Sequence, residues 1–113
     1  MTQDDAAPCT VLLIDDESFA EDIISHGLKG CASYMLRFAS RPAMAVEIAK
    51  EIGATVVLVD LRMPEIDGFE VTRRLRADRD TEHIPVILLS SEEDPEIKAR
   101  AFAVGANDYM VKW

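Results

Sequence analysis

No stretch of this chain approaches the roughly 20 consecutive apolar residues of a membrane span. The opening Met1-Thr-Gln-Asp-Asp-Ala-Ala-Pro8 has neither the basic flank nor the apolar core of a secretory signal. A cytoplasmic location is therefore expected. Cysteine is scarce: Cys9 and Cys31 form no C-x-x-C pair and have no histidine ligands nearby, which excludes a zinc cluster and reads as two plain thiols. His26 and His83 have no evident partners and read as surface or packing residues. Positive charge is also short. Lys and Arg number 12 against 21 Asp and Glu, a net charge of −9 that argues against binding nucleic acid or an anionic membrane. Arg73, Arg74, Arg76 and Arg79 do cluster, as the solvated face of a helix and its exit. No repeat, low-complexity tract or internal linker is present. Residues 1–9 read as a tail and 10–113 as one domain, since 113 residues with 49% hydrophobic content can bury about two-thirds of their unfolded surface without a disulfide or metal staple.

What the chain does have is four apolar runs that each stop on a reactive side chain. Val11–Ile14 stops on Asp15 and Asp16, Val56–Val59 on Asp60, Val86–Leu89 on Ser90, and Tyr109–Val111 on Lys112. Short continuous aliphatic runs are the pattern of strands buried on both faces, as in a parallel sheet covered by helices. Ligands of such sheets sit just beyond the carboxyl ends of the strands. Three carboxylates, a hydroxyl and an ammonium are thus expected in one crevice.

Strand and helix patterns alternate along the chain. After a strand over 10–14, Ser18 to Leu28 carries Phe19, Ile23, Ile24 and Leu28 at helical spacing, closed by Gly30. A strand near 34–38 leads to a helix with Ser40 as candidate cap and Pro42 in its first turn, running to Ile52 before Gly53. A strand over 55–59, a loop over 61–67 and a helix over 68–77 follow. Pro85 introduces a fourth strand, Asp94 and Pro95 start a helix that Gly105 ends, and residues 107–111 make a fifth strand. The fold class is therefore α/β: a doubly wound, five-stranded parallel sheet built from right-handed βαβ units, strand order 2-1-3-4-5. Neighbouring strands lie about 4.8 Å apart, so Asp15, Asp16 and Asp60 crowd together and their repulsion calls for a cation. Mg²⁺ suits an all-oxygen site that keeps several waters; zinc does not.

These residues resemble the receiver domains of two-component response regulators over 10–113. The resemblance rests on the acidic pair Asp15-Asp16, the segment Val59-Asp60-Leu61-Arg62-Met63-Pro64-Glu65-Ile66-Asp67-Gly68, the strand Pro85-Val-Ile-Leu-Leu-Ser90 and the segment Gly105-Ala-Asn-Asp-Tyr-Met-Val-Lys112. It implies a flavodoxin/CheY-like fold in which Asp60 accepts a phosphoryl group from the phosphohistidine of a sensor histidine kinase or phosphotransfer protein. It further implies that Asp16, Asp60 and the backbone carbonyl of Arg62 hold Mg²⁺, with Asp15 acting mainly through water. Ser90 matches the hydroxyl that turns toward the phosphoryl oxygens, Lys112 the basic partner, and Tyr109 the aromatic that moves with the hydroxyl. Such a domain is a switch that catalyses only its own phosphorylation and dephosphorylation. Arg62 and Glu92, two residues after Asp60 and Ser90, are oppositely charged and placed to pair across the mouth of the site.

Two other chemistries share parts of this pattern. A haloacid-dehalogenase-type phosphatase needs a second carboxylate two residues after its nucleophile, where this chain has Arg62. A flavodoxin-like cofactor binder needs an uncharged phosphate cradle after strand 1, where Asp15-Asp16-Glu17 would repel a phosphate. Trp113 follows Lys112 where most receivers carry proline; a cis bond before a non-proline residue costs about 2.5–4 kcal/mol, so a trans bond is expected. The chain ends where the family's fifth helix would begin, leaving that helix missing from the expected fold. The open flank would be covered by a continuation of the chain or by a second copy in a homodimer. Residues 90–112 look most like receivers attached to diguanylate cyclase domains of the Wsp type, which also lack the proline. A C-terminal effector domain is the implied output.

Overall fold

The computed structural model of the chain describes residues 9–16 and 34–112. They form five strands, β1 (Cys9–Ile14), β2 (Tyr34–Ala39), β3 (Val56–Asp60), β4 (Val86–Ser90) and β5 (Asp108–Val111). Three α-helices accompany them: α1 (Ala45–Ile52), α2 (Gly68–Ala77) and α3 (Pro95–Ala103). All strand pairings are parallel, in the order β2-β1-β3-β4-β5. The expected architecture is thus realised. The helix expected over 18–28, with Phe19, Ile23, Ile24 and Leu28, lies outside the described residues, as do His26, Cys31 and the Lys112–Trp113 bond.

Leu12, Ile14, Val57, Val59, Val86 and Leu88 point to one face of the sheet and are buried against Ala45 and Ala49 of α1, Phe69, Val71 and Leu75 of α2, and Ala101 of α3. The opposite face carries Leu13 and Leu89, both buried, with Leu36, Phe38, Leu58 and Ile87 half-buried around them. Alternation along each continuous apolar strand supplies both faces at once.

Helix boundaries follow local chemistry. Asp67 caps α2, its side chain accepting from the Glu70 N–H at 2.9 Å, and Asp94 caps α3 by accepting from Glu96 N–H at 2.9 Å. Gly53 ends α1 in the left-handed conformation at φ 64°. Ser40, in contrast, is not a cap. Arg41, immediately before Pro42, is held extended at φ −114° and ψ 105°, and a 3-10 turn over Pro42–Met44 starts the helical stretch instead. Proline restricts the residue before it to extended conformations, which moves the boundary past Ser40.

The basic cluster also needs correcting. Arg73 and Arg74 pair on the surface with Glu70, but Arg76 turns inward. Its guanidinium donates to the carbonyls of Gly105, Ile84 and Glu82 and to Asn107 Oδ1, at 2.7–3.1 Å. Asn107 Oδ1 also accepts from the Val86 N–H at 2.9 Å. Arg76 and Asn107 thus tie α2 to the entries of β4 and β5 through their backbone groups.

Candidate functional site

Strand register assembles the site. Ile14 pairs with Val59, so Asp15 falls level with Asp60 on the neighbouring strand. Asp60 pairs with Leu89 and Ser90 with Val111, which sets Ser90 and Lys112 successively one step further along. Backbone bonds continue past the strand ends: Asp15 N–H donates to Ala39 O at 3.1 Å, Leu61 N–H to Leu89 O at 2.8 Å, and Lys112 N–H to Ser90 O at 2.7 Å. The functional side chains therefore leave from backbone that is still held by the sheet.

Asp15, Asp16 and Asp60 each bring a carboxylate oxygen within 4.8 Å of the other two. Asp15 and Asp60 are buried and Asp16 is exposed. The Lys112 ammonium bridges the buried pair, 3.2 Å from Asp15 Oδ2 and 3.3 Å from Asp60 Oδ1. Three carboxylates facing one ammonium leave an excess of negative charge. Burial, and then the Asp15 charge, push the Asp60 carboxyl up to about 6 against the opposing pull of Lys112. Burial acts to lower the Lys112 ammonium, but its hydrogen bond to Asp15 and attraction to Asp60 outweigh that and raise it. An all-oxygen donor set with unbalanced negative charge fits a hard divalent cation.

At the mouth, Arg62 and Glu92 pair as their spacing suggested, Nε to Oε2 at 2.8 Å and a second guanidinium nitrogen to Oε1 at 3.2 Å. The position where a haloacid-dehalogenase-type phosphatase needs its acid is therefore filled by a guanidinium already engaged with a carboxylate. Ser90 is buried, and its Oγ accepts from the Glu92 N–H at 3.1 Å. Tyr109 is only 8% exposed. Its hydroxyl donates to the Glu92 carbonyl, so it packs as a core residue while holding a polar partner near the site.

Two features were not recognised from sequence. The loop after Asp60 contains a three-residue turn in which Ile66 N–H donates to Pro64 O at 3.0 Å, with Glu65 at φ 76°, a conformation costly for a side chain with Cβ. Gly68 lies so close behind Asp60 that an added Cβ would sit 2.8 Å from the Asp60 carbonyl oxygen. A glycine directly after a helix-capping aspartate was the available signal for close approach.

Residues 11–113 match the family model described as "Response regulator receiver domain". The Vibrio cholerae protein named "Probable cyclic di-GMP phosphodiesterase" is 36% identical over 112 residues, covering 99% of this chain and 25% of that protein. The "DNA-binding dual master transcriptional regulator RpaA" of Synechocystis is 33% identical over 102 residues, covering 90% of this chain and 42% of the relative. Among solved structures, the chemotaxis protein CheY4 of Vibrio cholerae superposes with a TM-score of 0.84 at 30% identity, covering 94% of this chain and 88% of that one. The chain spans between 25% and 42% of the length of these two curated relatives. A family match over nearly the whole chain, with a relative 36% identical across 99% of it, shows that this chain belongs to the receiver domains of two-component response regulators.

Proposed function

We propose that this domain is phosphorylated on Asp60 by the phosphohistidine of a sensor histidine kinase or phosphotransfer protein, with Mg²⁺ bound, and that the phosphoryl group repositions Ser90 and Tyr109 to control an output. The observation that carries this reading is the buried Asp15–Lys112–Asp60 arrangement at the carboxyl end of the sheet, with Asp16 beside it.

Asp60 is the nucleophile. Its carboxylate oxygen attacks phosphorus, a P–O bond forms, the P–N bond to the donor imidazole breaks, and the departing electron pair stays on that nitrogen, the ring leaving as neutral imidazole with the proton already carried by its other nitrogen. Asp16, Asp60 and the Arg62 carbonyl would hold Mg²⁺, with Asp15 acting through water. When bound, the ion neutralises charge on the phosphoryl oxygens. Lys112 supplies an ammonium to the same oxygens, and Ser90 a hydroxyl proton that its bond from Glu92 does not use. Asp15 holds Lys112 in place. Turnover of a foreign substrate is not expected.

The output would be an effector domain elsewhere in a longer protein. One relative's name refers to cyclic di-GMP and another's to DNA binding, so a cyclic di-GMP enzyme, including the diguanylate cyclase suggested by residues 90–112, and a DNA-binding domain are the two outputs that the similarities favour.

Incubation with acetyl phosphate and Mg²⁺ is expected to add one phosphoryl group per chain, mapped to Asp60, and chelation of the metal to prevent it. Asp16→Asn should weaken Mg²⁺ binding without removing the acceptor. Label at another residue, or steady phosphate release from an unrelated monoester, would overturn the reading in favour of a phosphatase.

The Arg62–Glu92 pair stands across the approach to Asp60 and partly screens it from water. Replacing both residues with Ala is expected to change the hydrolysis rate of the phosphorylated protein several-fold. A decay rate equal to the parent's would show that the pair does not gate water.

A further inference from the structure

We infer that Glu92, clamped by Arg62, positions Tyr109 before any phosphoryl group arrives. The inference rests on the switch role proposed for Ser90 and Tyr109, and it concerns the unphosphorylated protein. Glu92 makes three separate connections. Its N–H donates to Ser90 Oγ at 3.1 Å, its carbonyl accepts from the Tyr109 hydroxyl, and its carboxylate takes both guanidinium bonds of Arg62 at 2.8 and 3.2 Å. Ser91, Glu93 and Asp94 around it are exposed. Among the described residues, every hydrogen bond tying loop 91–94 to a segment outside its own strand and helix runs through Glu92. Among the described residues Glu92 is therefore the loop's anchoring residue, and its side chain is fixed by an ion pair with a residue two positions after Asp60.

Tyr109 depends on the same anchor. Its backbone is fixed by β5, which pairs Tyr109 with Leu88, and its ring is buried. The hydroxyl finds its partner at the Glu92 carbonyl. A buried hydroxyl that loses its acceptor bears an uncompensated desolvation cost, so a loop released from Arg62 favours a ring turned toward solvent. Arg62 and Glu92 act as positioning residues for the switch. A forked but exposed ion pair biases such an equilibrium by roughly two- to five-fold.

The whole chain labelled with fluorotyrosine tests this. The two labelled positions are Tyr34 and Tyr109, and Tyr34→Phe leaves Tyr109 as the single fluorine signal. In Arg62→Gln and in Glu92→Gln, the Tyr109 population in contact with solvent, read from the fluorine shift and its change between H₂O and D₂O, is expected to rise roughly two- to five-fold. About 1 M NaCl should move the parent signal the same way and leave the Gln variants unmoved, because salt screens an exposed pair. The exchanged pair Arg62→Glu with Glu92→Arg should restore the parent signal. Single variants with the parent's Tyr109 signal, or an exchanged pair that fails to restore it, overturn the inference. No phosphorylation is involved, so failure here leaves the assignment of Asp60 to be judged by its own labelling experiment.

Discussion

Asp60→Asn is expected to yield a protein that takes up no phosphate from acetyl phosphate and yet, without metal at neutral pH, is harder to unfold than its parent. The first half follows from nucleophilicity: a carboxamide cannot form the acyl phosphate. Undiminished labelling of the variant at the same stoichiometry would sink the assignment. The second half follows from charge. Asp60 is buried beside Asp15, and its carboxyl is held at about 6 against an ordinary value of 3.8. The folded state therefore prefers this group neutral more strongly than the unfolded state does. Its contribution to stability is fully present below about pH 4 and is lost as the pH rises through about 6. A gap of about two units corresponds to roughly 3 kcal/mol. Asparagine keeps the shape and discards the charge, at the loss of part of the attraction to Lys112. We expect a metal-free gain of about 1–3 kcal/mol near pH 7.5, shrinking toward zero near pH 4. Urea unfolding of both proteins with chelator at the two pH values checks it; a difference independent of pH would show that Asp60 ionisation is not its source. Added Mg²⁺ should narrow the gap, since an ion at a hundred times its dissociation constant stabilises the parent by about 2.7 kcal/mol and the variant by less.

The site was legible because a parallel sheet converts a one-dimensional pattern into a place. Each run ending in a polar residue was a strand, and parallel register carried Asp15, Asp60, Ser90 and Lys112 to the same end. Knowledge of neither loops nor side-chain rotamers was needed. The Arg62–Glu92 pair was legible for a related reason, since each residue lies two positions beyond a strand end. Arg76 was not. Its partners Gly105 and Asn107 are 29 and 31 residues away, and a helix-surface arginine gives no local sign that it will turn inward to satisfy carbonyls. Ser40 failed as a cap because the restraint of Pro42 on Arg41 outweighed the capping preference of a serine two positions earlier. Glu65 gave no warning either, because positive φ at a glutamate is imposed by the turn that carries the chain from Asp60 to its helix and not by the residue itself.

Gly68→Ala should be far more damaging than a single added methyl group suggests. Gly68 opens α2 immediately behind Asp60, with its N–H donating to Leu61 O at 2.9 Å. A Cβ there would lie 2.6 Å from Leu88 Cδ2, 2.8 Å from the Asp60 carbonyl oxygen and 3.0 Å from Leu61 Cα. The leucine methyl can swing aside. The two backbone atoms cannot, because Leu61 N–H is bonded to Leu89 O in the sheet. Either the start of α2 lifts, drawing the buried Phe69 with it, or the Asp60 peptide turns. Overpacking of this kind costs about 1–3 kcal/mol, only partly offset by alanine's better helix propensity of at most about 1 kcal/mol. A fall in melting temperature of roughly 5–10 °C is expected. Since a misplacement of about 1 Å at a reacting group can cost on the order of a hundredfold in rate, Asp60 labelling should slow by one to two orders of magnitude. Gly53→Ala is the control: φ is 64° but nothing lies within 4 Å of its Cβ position, so it should lose about 1 kcal/mol to backbone strain alone and label at the parent rate. Equal labelling by the two alanine variants would show that Gly68 does not position Asp60.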